Sequence, residues 1–203
     1  MTQALTREVL QNTPVTLYDG TMNRETAPRK IESEKDWIAR LQQPYNEAVD
    51  RYQRGKRNAE HVIPETSLSF LESIGMSAQE LYDFVEDWIT AGEPPFATVA
   101  AITAVRRDYF VNIQKGKPSE HAVETSSLPP GSEELAGYRW LPRIIAKAQA
   151  KLRGEMSPDI MYGCGADRPF LRKVGIDPAE FLRLVWQAGG NKLVVLEAIT
   201  RHA

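Results

Sequence analysis

One stretch of this chain is written twice. Phe70-Leu71-Glu72-Ser73-Ile74-Gly75-Met76-Ser77-Ala78-Gln79-Glu80-Leu81 aligns without a gap on Phe170-Leu171-Arg172-Lys173-Val174-Gly175-Ile176-Asp177-Pro178-Ala179-Glu180-Phe181, a lag of 100 positions. The shared grammar is an apolar pair, a glycine, an N-cap residue, a glutamate three residues after it and an amphipathic run. Glycine suits the left-handed position that closes a helix. Ser77 with Glu80, and Asp177 with Glu180, have the spacing of a capping box, and Pro178 falls where a first helical turn tolerates proline. The repeat extends upstream, where Trp37-Ile38-Ala39-Arg40-Leu41 is answered by Trp140-Leu141-Pro142-Arg143-Ile144. Two copies of one small helical unit are the expected architecture.

The rest of the chain agrees with an all-α fold. Trp37, Ile38, Leu41, Tyr45, Ala48, Val49 and Tyr52 recur at three- and four-residue steps, one face of a helix. Pro44 sits inside that face and is expected to kink or restart it, because proline lacks the N–H and clashes with the preceding turn. Leu81, Phe84, Val85, Trp88 and Ile89 form the next face. Val99, Ile102, Val105, Tyr109 and Ile113 form one over 96–113. In the second copy Leu182, Val185 and Trp186 precede the turn Gly189-Gly190-Asn191, and Leu193, Val194, Leu196 and Ile199 close the chain. The four tryptophans fall on apolar stripes and read as core. Neither half shows a period-2 strand pattern. The organisation expected is an irregular N-terminal arm over 1–35, a first helical subdomain over 36–116, a Pro/Gly/Ser-rich linker over 117–137 and a second helical subdomain over 138–203.

Composition limits function more than it reveals it. The 203 residues are 42% hydrophobic and 26% charged, an ordinary globular mixture. A net charge of −2 gives no global field for nucleic acid or anionic lipid. The single cysteine, Cys164, excludes an intrachain disulfide and fits a reducing compartment. Residues 1–12 have no apolar run of a secretory leader, and no stretch has the roughly 18 apolar residues of a membrane span. A cytoplasmic protein is expected.

Chemistry concentrates in the second copy. Tyr162-Gly163-Cys164-Gly165-Ala166-Asp167-Arg168 places a thiol between two glycines, ahead of a helix start. Cys164 is a candidate nucleophile or redox thiol if Arg168 or the helix N-terminus activates it. Otherwise the loop is a tight turn in which Cys164 packs as a small hydrophobe and Asp167 caps the following helix; Thr66 or Ser67 takes that cap role in the first copy. Arg139, Arg143, Lys147 and Lys151 stand four apart. The last three share a helix face, which is either a solvated row or a site for a phosphate, an acidic partner or nucleic acid. His61, His121 and His202 are isolated, and no zinc site or cofactor is expected. His61, near Glu60 and Glu65, is either a proton donor or an exposed loop histidine.

The second half resembles an uncharacterised bacterial family, domain of unknown function 5069, over about residues 128–200. The resemblance is carried by Leu141, Pro142, Arg143, Lys147, Ala148 and Ala150, then Tyr162, Asp167, Phe170, Leu171, Gly175, Ile176 and Asp177. Ala146 stands where that family often has aspartate, and Gln149 where it often has arginine. The resemblance implies a fold and domain limits, and no activity. Taken together, the expected function is a non-catalytic binding or protein-interaction module. Its expected ligand is a small anion or a protein, met at Arg143, Lys147, Tyr162, Asp167 and Arg168. The alternatives are an enzyme or redox protein using Cys164, or weak nucleic-acid binding through the basic face.

Overall fold

Residues 33–202 are described by the computed structural model; all but the last three residues of the expected arm lie outside that range. Helix α1, Glu34–Gln53, begins where the Ser33 hydroxyl accepts from the Asp36 N–H at 3.3 Å. It buries Trp37, Leu41, Tyr45, Ala48 and Tyr52. The helix neither stops nor restarts at Pro44. Packing of this face on α4, Ala78–Ala91, and α5, Phe96–Asn112, outweighs one lost backbone bond.

Between α1 and α4 lie two short helices, α2 (Ala59–Val62) and α3 (Leu68–Ser73), the latter after a 3-10 turn over Glu65–Ser67. Neither Thr66 nor Ser67 supplies the expected side-chain cap: Ser67 occupies the cap position without a side-chain hydrogen bond. The repeated glycines behave alike. Gly75 and Gly175 have φ of +73° and +68°. Met76 N–H donates to the Leu71 carbonyl at 2.9 Å, and Ile176 N–H to Leu171 at 3.1 Å. These are the closing bonds of a Schellman motif. Ser77 then accepts from Glu80 N–H at 3.1 Å, and Asp177 from Ala179 N–H at 2.8 Å.

The second region contains α6 (Leu141–Arg153), α7 (Asp167–Val174), α8 (Pro178–Gln187) and α9 (Lys192–His202). Helix α5 packs on α1, α6 and α8, and α6 packs on α8. Buried residues from Trp37 to Ile199 consequently form one continuous core. Thr103 and Arg106 are buried beside Val99, Ile102 and Val105, so α5 is enclosed on more than its apolar stripe. Ile113, expected on that stripe, is 53% exposed, and Trp88, expected in the core, is 38% exposed. Trp37 is buried; Trp140 and Trp186 are half-buried against the core.

The segment 117–137 lies along the second region. Ser119 donates to Glu155 at 2.8 Å, Val123 forms a parallel bridge with Met156, and Leu128 is buried. It leads into a hairpin that the sequence reading had no signal for: β1 (Glu134–Leu135) pairs with β2 (Tyr138–Arg139) in register Glu134–Arg139 and Leu135–Tyr138. Ala136 and Gly137 both have positive φ, as a two-residue type I′ turn needs. Two-residue strands are too short to leave an alternating pattern. The described structure is otherwise helical, and no helix in it is long and apolar enough to cross a membrane.

Candidate functional site

Asp167 is the centre of the polar cluster in the second region, and it is completely buried. Its Oδ1 accepts from the Trp140 indole N–H at 2.9 Å. Its Oδ2 accepts from Lys147 Nζ at 2.5 Å and from Gly163 N–H at 2.9 Å. Three donors on one carboxylate, one of them an ammonium, compensate the loss of water around it. The expected cap role is therefore corrected. Ala166 occupies the cap position of α7, and the free N–H groups of Asp167 and Arg168 donate to the Cys164 carbonyl at 2.9 and 3.1 Å.

The basic row does not form a solvated face. Lys147 and Lys151 are 4% and 2% exposed. They do share a side of α6, but that side meets Cys164 and Asp167 at Lys147 and Glu80 and Phe84 of α4 at Lys151. The outer stripe of α6 is Arg143, Ala146, Gln149 and Arg153, all half-buried. Lys151 forms an ion pair with Glu80 of α4 and lies over the Phe84 ring. Burial pulls its ammonium down to about 7, and the adjoining carboxylate acts in the opposite sense. Glu80 is thus the capping-box glutamate by spacing and a counter-ion by contact. Arg143 donates to the Pro129 carbonyl at 2.8 Å and stacks near Trp140. Arg139 alone of the row is exposed.

The remaining candidates diverge. Tyr162 is buried and donates to the Pro178 carbonyl at 2.7 Å; burial and, secondarily, Asp167 and Asp177 push its phenol well up. Arg168 turns from the loop toward α4. Its Nη1 donates to Asp87 at 2.7 Å and to the Gly163 carbonyl at 3.0 Å, and its Nε lies 3.2 Å from Glu93. Cys164 is half-buried, and its Sγ accepts from Lys147 Nζ at 3.2 Å. The cation beside the thiol is therefore Lys147, not Arg168. The structure brings Lys147, Cys164 and Asp167 together and sends Arg143, Tyr162 and Arg168 elsewhere.

Two further polar groups left no signature in the sequence. Glu86 accepts from Tyr52 and Tyr82 hydroxyls at 3.1 and 2.6 Å. The Tyr82 phenol is pushed up to about 12, first by burial and then by that bond. Asp83 is raised to about 7 by desolvation; a hydrogen bond from Gln79 opposes this, and Glu86 and Asp87 add to it. The exposed His61 meets the Asn58 side chain at 2.7 Å. No cluster of His, Cys, Asp or Glu able to hold a metal ion occurs among the described residues. A groove of about 300 Å³ is lined by Ile176, Glu180, Arg183, Leu184, Gln187 and Ala198, none of them a member of these clusters.

No curated protein and no solved structure matches this chain. Residues 129–203, which carry Lys147, Cys164 and Asp167, match the model of the family described as Domain of unknown function (DUF5069).

Proposed function

We propose that this chain is a non-catalytic protein-interaction module. The observation carrying this reading is the pair Leu193 and Val194 on α9, 65% and 43% exposed, on the helix that also lends Ala198 to the groove with Ile176 and Leu184. Adjacent exposed apolar residues are a surface suited to a protein. A small anion fits less well, since Lys147, Lys151 and Arg168 are buried and already matched to Asp167, Glu80, Asp87 and Glu93. The same burial leaves no lysine row to face nucleic-acid phosphates. The unpaired Cys164 supports a cytoplasmic setting. The matching Schellman bonds at Gly75 and Gly175 support descent of both helical units from one duplicated module. A photoreactive residue at Val194 is expected to give discrete protein adducts in the source cells, and one at the exposed Asp159 none. Equal yields at both positions, or none at either, would overturn the reading.

One contact favours a second reading, a reactive thiol: the Lys147 ammonium 3.2 Å from the half-buried Cys164. The comparison is between wild type and the doubly neutral Lys147→Met/Asp167→Asn, which leaves no unmatched charge. If the contact activates the thiol, wild type is alkylated by iodoacetamide about tenfold faster at pH 6. Indistinguishable rates between the two proteins eliminate this reading.

A further inference from the structure

We infer that peroxide joins Cys164 to Lys147 through a reducible sulfur–nitrogen bond, which makes the pair a redox modification site. The inference rests on the reactive-thiol reading and says what that thiol reacts with. Three observations carry it.

The first is the pairing. Lys147 Nζ lies 3.2 Å from Cys164 Sγ and 2.5 Å from Asp167 Oδ2. A thiol sulfur is a weak acceptor, so it adds little to holding a buried ammonium that Asp167 already neutralises. What the contact does supply is reactivity. A nitrogen on a residue only 4% exposed is aimed at a half-buried sulfur within reach of a small oxidant.

The second is the choice of captor. Cys164 is the only cysteine of the chain, so no second thiol in it can trap an oxidised sulfur as a disulfide. A sulfenic acid otherwise condenses with a nitrogen, and the nitrogen in hydrogen-bond contact is that of Lys147. Cys164 sits between Gly163, at φ +79°, and Gly165. With no Cβ on either side, the loop can bring the sulfur the remaining distance to the lysine on α6.

The third is the fate of the charges. Peroxide oxidises the thiol by two electrons: its O–O bond breaks, an S–O bond forms and one water leaves. Lys147 passes an ammonium proton to Asp167 Oδ2, and the freed lone pair attacks the sulfur. The S–O bond breaks, and the hydroxide departs as water with a second proton from the nitrogen. One thiol, one ammonium–carboxylate pair and one peroxide become a sulfenamide, a carboxylic acid and two waters. Both members of the buried ion pair end neutral, so neither charge is stranded. The acid keeps acceptor capacity for the Trp140 and Gly163 N–H groups.

The test is peptide mass analysis of the full chain after treatment with hydrogen peroxide. In wild type the Lys147 and Cys164 peptides are expected to be joined, together about 2 Da lighter than their sum. Trypsin should no longer cut after Lys147, and dithiothreitol should restore both the cut and the mass. Cys164→Ser should form no link. Lys147→Met/Asp167→Asn should form none either, and its Cys164 peptide should instead gain about 16 or 32 Da as oxygen on sulfur. Such a gain in wild type, with Lys147 still cut, overturns the cross-link and leaves the reactive-thiol reading intact. A loss of about 2 Da confined to the Cys164 peptide also overturns it, because the captor is then a backbone nitrogen. A thiol that peroxide leaves untouched overturns it as well, and equal rates in the iodoacetamide comparison separately remove the reading beneath it.

Discussion

Replacing Asp167 with alanine is expected to destabilise the protein by about 3–5 kcal/mol, the range for a buried ion pair stripped of one partner. The carboxylate is fully buried and serves three donors at once. Removing it strands the Lys147 ammonium, 4% exposed, with the Cys164 sulfur at 3.2 Å as its remaining hydrogen-bond partner among the described residues. It also leaves the Trp140 indole and the Gly163 amide without their acceptor. The cost is therefore mostly the desolvation of a charge left alone, and neutralising that charge should recover much of it. Urea unfolding of Asp167→Ala, of Lys147→Met/Asp167→Asn and of Asp177→Ala checks this. The last loses a helix cap and should cost about 1 kcal/mol. If Asp167→Ala costs no more than Asp177→Ala, the cluster does not hold the second region together.

The paired glycines give the second large effect. Both have positive φ, so alanine at either is strained by about 1–2 kcal/mol. Their surroundings differ. A methyl group on Gly75 would lie 2.8 Å from Cγ and 2.9 Å from Cβ of Phe110, whereas one on Gly175 meets nothing within 4 Å. Phe110 Cβ is fixed to the backbone of α5 and cannot swing aside. Gly75→Ala should therefore add overpacking of about 1–3 kcal/mol to the strain. Melting both variants side by side checks the order: Gly75→Ala must fall further, and equal shifts would mean that α5 yields.

What the sequence discloses here is local. The spacing around Gly75 and Gly175 marks helix ends because caps depend on residues a few positions apart. The stripe from Trp37 to Tyr52 marks a buried face for the same reason. Which flank of α6 turns inward depends on Asp167 and on Glu80 and Phe84 of α4, many residues away. That is why Lys147 and Lys151 read as a solvated row although they are buried. Asp167 has a cap's position in the chain, but its partners are Trp140, Lys147 and Gly163, assembled only by folding. The Cys164 loop is conspicuous in the sequence for a thiol set between two glycines. Its cation was assigned to Arg168 from adjacency, whereas the chain path delivers Lys147.

Arg168 has a consequence for how the matched family segment is handled. Its acid partners, Asp87 and Glu93, precede residue 129, as does Glu80, the partner of Lys151. The border that similarity draws at that residue is thus crossed by cations whose neutralisation comes from the other side. A fragment cut there would leave Lys151 and Arg168 without the carboxylates they meet in the full chain, so similarity sets a poor scissor line for this protein.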